Sequence, residues 1–328
     1  MSTRAFTWSI TETESSVAVR EFATDVRSDL NKPQKELHSK YLYDELGSAL
    51  FEAITRLPEY GLTRADERLL AAHAPDLAQA VPAPAAIIEL GSGTGEKTRH
   101  ILEAYRSAQH RPKYIPIDVS SNALARCHRD LSQIADVTAI EGPYLSGLDQ
   151  AIAQRSARKP VLVLFLGSTI GNFERRCALE FLKGVRRLLR PGDAFLLGAD
   201  LVKDADRMLL AYDDPIGLTA AFNLNLLGRV NRELGGDFDL RSFEHEARWN
   251  AEQGRIEMHL RSLVRQTVTI ALAHSTVHFF AGETIWTESS HKFQIDEISV
   301  LAEHAGFNAR AHWVDSEWPF VESLWIAR

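Results

Sequence analysis

The run Glu89-Leu90-Gly91-Ser92-Gly93-Thr94-Gly95 sets three glycines in one short turn directly after an apolar segment. Glycine lets the backbone turn tightly and approach a ligand with no Cβ in the way. The dinucleotide fingerprint G-x-G-x-x-G/A needs a small residue where Glu96 stands, which disfavours a nicotinamide enzyme. A phosphate-binding loop is absent, because Lys97-Thr98 follows the glycines at the wrong spacing. Asp118 ends the next apolar segment. An ionised carboxylate there can accept from a pair of hydroxyls, since it has several acceptor sites and no donor. No H-E-x-x-H occurs, and His274 and His278, spaced i, i+4, fall in a strand-like stretch. The other histidines are scattered, so no metal is expected. Cys127 and Cys177 are too few for a disulfide framework or a four-cysteine zinc site, and a reducing, cytoplasmic compartment is expected.

These residues need elements to hold them. Pro82-Ala83-Pro84 is followed by Ala85–Leu90, which reads as a buried strand closed by the glycine turn. Tyr114–Asp118 is a second strand. Asn122 to Ile134 is helical, capped by Ser120 or Ser121. Val137 to Ile140 is a third strand, and the apolar Val161 to Leu166 fits the centre of a parallel sheet. Glu174 to Leu189 has helical spacing and stops at Pro191-Gly192; Ala194 to Gly198 is a fifth strand. Successive β/α units predict a doubly wound parallel sheet with right-handed crossovers. After Asp200 the pattern changes. Asp213-Asp214-Pro215 reads as a turn that starts a helix, and Thr219 to Leu234 is amphipathic. Phe243–Trp249, Arg255–Leu263, Thr267–Leu272 and Thr276–Phe280 alternate as antiparallel strands do. A helix over Gln294–His304 and strands over Ala309–Val314 and Val321–Ala327 would complete the sheet edge. The expected organisation is an α/β core of 64–202 plus 291–328 and a discontinuous α+β domain of 1–63 plus 203–290. The site would lie between them, above the C-terminal ends of the strands.

The 328 residues are 45% hydrophobic and 25% charged, ordinary values that exclude extensive disorder. Thirty-seven basic against 44 acidic residues give a net charge of −7, which argues against a nucleic-acid partner. No apolar run spans a bilayer, and Met1 to Arg20 has no apolar core of a secretory signal, so neither a membrane partner nor export is expected. A monomer is expected.

An acid ending the first strand, a G-x-G-x-G turn and an acid ending the second resemble class I methyltransferases, which bind S-adenosylmethionine. Longer stretches sharpen this. Lys40–Asp44, Thr55–Tyr60, Glu89–Arg99, Phe165–Asn172, Asp200–Asp204, Ala211–Asp214, Val230–Leu234, Arg255–Met258 and Thr287–Ser290 resemble, in order, the histidine-specific methyltransferases of ergothioneine biosynthesis. The resemblance covers nearly the whole chain. It implies a class I (Rossmann-like) core with an inserted substrate domain, and trimethylation of the α-amino group of L-histidine to hercynine with S-adenosylmethionine as cosubstrate. It further implies that Gly91, Gly93, Lys97 and Asp118 contact the cosubstrate. Asn172 and Tyr212 would hold the amino and carboxylate ends of histidine. Tyr60, Met258, Glu288 and Ser290 would surround the imidazole, and Tyr43 would stand near the reacting amine. The family places Asp-Phe after the third strand, where the acid meets the adenine amino group. Here Pro143-Tyr144 takes that place, so adenine recognition falls to Tyr144, to backbone groups or to a shifted loop.

Methyl transfer from a sulfonium to an amine asks the protein for alignment and a neutral amine, and positioning can contribute roughly 7–11 kcal/mol. No His/carboxylate pair stands out as a dedicated base. Three other readings compete: methylation of another amino acid such as a tryptophan derivative, a cofactor-binding module without catalysis, and a nicotinamide oxidoreductase. Glu288 with Ser290 argues against an indole, which has one N–H and no acceptor.

Overall fold

A computed structural model describes the backbone of residues 12–84, 86–155 and 159–328, and side chains from Val17 onward within them. Ala85, first residue of one expected strand, lies outside the described residues, as do Met1–Thr11 of the amino-terminal stretch. The chain forms two compact units. One comprises Thr55–Met208, Trp249–Ile256 and Ser289–Arg328; the other comprises the chain up to Ile54, Leu209–Arg248 and Glu257–Glu288.

The first unit is built on an eight-stranded sheet. From one edge its strands run Phe307–Val314, Phe320–Ala327, Ala194–Asp200, Leu162–Phe165, Ile87–Leu90, Lys113–Asp118 and Asp136–Val137, with Ile140–Glu141 also paired to Lys113–Asp118. All pairs are parallel except those made by the two carboxy-terminal strands. Strand order reverses on either side of Ile87–Leu90, so the glycine turn sits at a switch point, where open α/β sheets bind ligands. Both faces of the sheet are covered, which is why Leu162–Phe165 is wholly apolar and wholly buried. Ile88, Ile115, Val163 and Phe195 pack on one side, and Ile87, Tyr114, Leu162 and Leu196 on the other. This is the doubly wound α/β architecture expected from the alternating segments.

The expected third strand is two short pairings rather than one strand. Thr138 N–H donates to the Tyr114 carbonyl and Gly142 N–H to the Asp118 carbonyl. The position between them on that edge is Pro116, which has no N–H to give, so the ladder breaks there. Elsewhere the local expectations hold. Ser120 Oγ accepts from Ala123 N–H and caps Ser121–Leu131.

The second unit holds most of a four-stranded sheet, in the order Lys35–Glu36, Thr284–His291, Arg255–Ser262 and Phe243–Asn250, with a separate hairpin of Gln266–Ile270 and Ser275–Phe279. The helices Glu12–Asp29, Glu45–Ile54 and Leu218–Leu234 belong to it. Asp214 starts the last of these. Its carboxylate accepts from Leu218 N–H at 3.0 Å and Thr219 N–H at 2.7 Å. Burial opposes its charge, but these donors prevail and hold its pKa below the usual value. His278 lies in the hairpin and meets Thr267 Oγ1 at 2.9 Å, while His274 occupies its turn with φ +46°. Among the described residues no helix is long and apolar enough to cross a membrane.

Candidate active site

The glycine turn takes a left-handed path, with φ +72° at Gly91, +52° at Gly93 and +68° at Gly95. L-residues rarely adopt these values, which accounts for the glycines. Their surroundings differ. A Cβ on Gly95 would stand 2.8 Å from Cys127 Sγ and from Leu131 Cδ1, so Gly95 is needed for helix packing. A Cβ on Gly93 would meet nothing within 4 Å, so the turn there is open. Gly93 N–H donates to Asp118 Oδ2 at 2.9 Å, and Ser120 N–H donates to Asp118 Oδ1 at 2.9 Å. The carboxylate is thus fixed at the strand end by one donor per oxygen, which leaves lone pairs for further donors.

Glu89, at the end of its own strand, is buried and serves the turn from below. It accepts from Thr98 Oγ1 at 2.6 Å and from the Tyr114 hydroxyl. Burial outweighs these hydrogen bonds and pushes its carboxyl up to about 7. Lys97 is ion-paired to the fully buried Asp66, whose Oδ2 also accepts from Gly167 N–H at 3.1 Å. Burial opposes the Lys97 charge, but Asp66 prevails and raises its pKa. Tyr144 opens the helix Tyr144–Ala153 and stands edge-on to Phe165 and Phe181 at 5.5 and 5.9 Å. Its hydroxyl lies 3.3 Å from where a Gly91 Cβ would be, and burial pushes its pKa to about 12. Pro143 is extended, and its carbonyl accepts from Gly147 N–H and Ser146 Oγ. Gly91, Gly93, Lys97, Asp118 and Tyr144 therefore all belong to the switch-point edge of one sheet. Its open glycine cradle and fixed carboxylate fit S-adenosylmethionine.

The same unit holds three residues expected to meet substrate. Asn172 ends the turn Thr169–Asn172, which follows Ser168 with φ +59°. Ser168 Oγ accepts from Asp200 N–H at 2.9 Å, tying that turn to the neighbouring strand end. Tyr60 is buried immediately before the helix Gly61–Ala80. Ser290 is buried, and its Oγ accepts from Lys292 Nζ at 2.9 Å. Lys292 is fully buried and pairs with Asp200 Oδ2 at 2.9 Å. Asp200 Oδ1 takes Lys203 Nζ at 2.6 Å and Trp318 Nε1 at 2.8 Å. Burial, with Lys292 nearby, brings Lys203 down to about 8 despite Asp200.

In the other unit Tyr43 follows the turn Ser39–Leu42 and stands edge-on to Phe51 and Phe222, each at 5.5 Å. Tyr212 is buried at the end of Ala205–Tyr212. Its carbonyl accepts from His245 Nε2 at 2.8 Å, and His245 Nδ1 accepts from Asn223 Nδ2 at 2.9 Å. That relay orients the His245 ring between the two partners. Met258 and Glu288 are buried on neighbouring strands, joined where Thr287 Oγ1 donates to the Met258 carbonyl at 3.0 Å. Glu288 and Ser290 are two residues apart on Thr284–His291 and so share a face.

Sequence reasoning missed Asp66, Glu322 and the lysines around Asp200. Their signals were there: Asp66 shares the apolar helical face of Leu62, Ala65, Leu69 and Leu70, and Glu322 interrupts an apolar strand.

Residues 22–327 match the model of a family described as histidine-specific methyltransferase, SAM-dependent. The chain is 43% identical over 304 residues to the histidine N-alpha-methyltransferase of Mycobacterium tuberculosis, covering 92% of this chain and 93% of that one. It is 42% identical over 301 residues to the protein of the same name in Mycolicibacterium smegmatis, with the same coverage of 92% and 93%. Ergothioneine biosynthesis protein 1 of Neurospora crassa is 38% identical over 206 residues, 61% of this chain and 23% of that much longer one.

Proposed function

We propose a division of labour among the site residues from the premise that the chain belongs to the SAM-dependent, histidine-specific methyltransferases. It is an enzyme that methylates the α-amino group of L-histidine. The proposed product is the trimethylated amine, hercynine, on the route to ergothioneine. S-adenosylmethionine supplies the methyl group as a sulfonium electrophile. The residues then have three tasks: to hold the cosubstrate, to hold histidine, and to present a neutral amine.

Asp118 is proposed to accept from the ribose hydroxyls with the lone pairs that Gly93 and Ser120 leave. Gly91 and Gly93 give the backbone close approach, Lys97 meets the cosubstrate from below, and Tyr144 with neighbouring backbone groups takes the part of the missing acid at the adenine. Asn172 and Tyr212 hold the amino and carboxylate ends of histidine. Tyr60 and Met258 wall the imidazole. Tyr43 holds a water beside the amine, through which the ammonium proton leaves to solvent, and Asn172 orients the amine for attack; these two are the proposed catalytic residues. The proposed protein is a cytoplasmic monomer that needs no metal, with the sheet-bearing first unit as the methyltransferase core and the second unit as the substrate domain.

One observation carries the choice of histidine: Glu288 and Ser290 are buried on the same face of one strand. A carboxylate accepts from an imidazole N–H, and a hydroxyl can donate to the other nitrogen. An indole offers no acceptor, so this pair supports imidazole over tryptophan. A site built for both nitrogens rejects ligands that leave its polar groups unpaired. The test is incubation with S-adenosylmethionine and each of the twenty amino acids, read by mass. Histidine alone should gain three methyl groups on its α-nitrogen; a product methylated only on the ring would overturn the assignment.

A further inference from the structure

Asp66 and Glu322 are brought together from distant parts of the sequence. Asp66 lies on the helix Gly61–Ala80, and Glu322 on the strand Phe320–Ala327. Their side chains are almost completely buried, and Asp66 is close enough to Glu322 to share a hydrogen bond with it. Asp66 Oδ2 is well supplied, by Lys97 Nζ and by Gly167 N–H. Asp66 Oδ1 and both oxygens of Glu322 are buried and receive no hydrogen bond from a donor among the described residues. Three acceptor oxygens without a donor, on two adjacent buried acids, are unfavourable if both are ionised. Placing one proton between them removes the conflict, because a carboxylic acid becomes the donor that is lacking.

The nearby charges agree. Those facing Glu322 are Asp66, Lys97 and Glu89, two acids and one cation. Burial first, and then Asp66, pushes the Glu322 carboxyl well above its usual value. His73 and Glu322 both border one small cavity, but His73 is paired to Asp76 at 2.8 Å. The space is also tight. Glu322 pairs in register with Gly198, and a Cβ there would stand 2.6 Å from Glu322 Oε1.

We propose that Asp66 and Glu322 form a proton-sharing acid pair that positions Lys97 and the Gly167 turn for the methyl-transfer reaction. The protonated Glu322 donates to Asp66 Oδ1 and holds that carboxylate still. Asp66 Oδ2, which keeps the negative charge, then grips Lys97 after the glycine turn and Gly167 before the turn that carries Asn172. Those two turns follow adjacent strands, Ile87–Leu90 and Leu162–Phe165, so one buried carboxylate sets the spacing of the cosubstrate and substrate loops. A doubly ionised pair would instead pull Lys97 between two acids. Asp66 and Glu322 are positioning residues and touch no reactant. The functional half of the proposal rests on the reading that the glycine turn binds S-adenosylmethionine.

The test uses the full chain and five proteins: wild type, Glu322→Gln, Glu322→Ala, Asp66→Asn and, for spectroscopy, Glu89→Gln. A glutamine amide supplies an N–H where the acid supplies an O–H, so Glu322→Gln should keep S-adenosylmethionine affinity and kcat within about threefold of wild type. Glu322→Ala and Asp66→Asn should each weaken the cosubstrate by about tenfold or more, the loss of one charge-assisted hydrogen bond. Equal damage from Glu322→Gln and Glu322→Ala means the site needs a charge at 322 and overturns the proposal. Infrared spectroscopy reads the proton directly and does not depend on activity or on the 322 variants folding. At pH about 8.5, above the value of Glu89, a protonated carboxyl band should persist in wild type and in Glu89→Gln. Its absence in both overturns the proposal. If the band is present but wild type does not bind S-adenosylmethionine, the acid pair stands and the cosubstrate reading fails instead.

Discussion

Asp118→Ala tests the cosubstrate site at its best-defined atom. The carboxylate already accepts from Gly93 N–H and Ser120 N–H, each at 2.9 Å. Of about four lone-pair positions on a carboxylate, two remain, one on each oxygen, which matches two ribose hydroxyls. Hydrogen bonds to a charged acceptor contribute about 1.5–3 kcal/mol each. Two such bonds give an upper figure of about 3–6 kcal/mol, which the partial exposure of Asp118 reduces to about 2–3 kcal/mol, or roughly 30–150-fold in affinity. The substitution also frees the glycine turn at Gly93 and the chain at Ser120, so thermal stability should fall by about 1–2 kcal/mol. Calorimetry separates these effects. Titration with S-adenosylmethionine should weaken by the larger factor, and titration with histidine should change by less than about threefold. Unchanged cosubstrate affinity would remove Asp118 from the site, and equal losses for both ligands would make it a residue of the fold alone.

Three further outcomes follow. Glu89 has its carboxyl raised from 4.5 to about 7 by burial, so its proton stabilises the folded state below the unfolded value and that contribution is lost as pH rises through about 7. Glu89→Gln cannot ionise; its melting temperature relative to wild type should climb between pH 5 and 8, by an amount equivalent to about 3 kcal/mol, and a constant difference refutes the shift. Gly95→Ala forces a left-handed alanine into Cys127 and Leu131 and should cost about 2–4 kcal/mol by denaturant unfolding, whereas Gly93→Ala, facing open space, should cost only about 1–2 kcal/mol of backbone strain. Glu288→Ala should lower kcat/KM for histidine by about tenfold or more while leaving S-adenosylmethionine affinity in place; parallel losses would mark Glu288 as structural.

The sequence disclosed what short stretches determine. A glycine turn between a strand and a helix, a serine three residues before the N–H it accepts from, and an aspartate opening the helix Leu218–Leu234 are all settled within a few residues, and each has its expected geometry. The third strand illustrates the first limit. Its split depends on Pro116 in the neighbouring strand, so reading Val137 to Ile140 alone cannot find it. The strand Lys35–Glu36 shows the same limit more sharply: two residues become a strand only because Ile285 and Trp286 lie beside them. Asp118 could be singled out because it ends a strand in a known register. Asp66 and Glu322 show in the sequence only as acids that each interrupt an apolar pattern; that they form a pair is settled by the fold, which brings a helix and a distant strand together.

Buried ionic groups are costly to desolvate, and apolar replacements of similar volume often stabilise a fold. The first unit nevertheless keeps two such clusters on neighbouring parts of its sheet. Asp66, Glu322 and Glu89 stand around Lys97, and Asp200 pairs with two lysines. Neither cluster balances by simple ion pairing. In the acid-rich cluster the excess is taken up by protons, which raised carboxyl values at Glu89 and Glu322 accommodate. In the lysine-rich cluster it is relieved by a depressed value at Lys203 and by Lys292 donating to Ser290 Oγ. A pair kept only for stability would be better balanced. What the two clusters have in common is that each fixes a group beside the glycine turn or on the strand of Ser290 at hydrogen-bond precision. Each cluster thereby holds a group in place: Lys97 and Gly167 in one case, the Ser290 hydroxyl in the other.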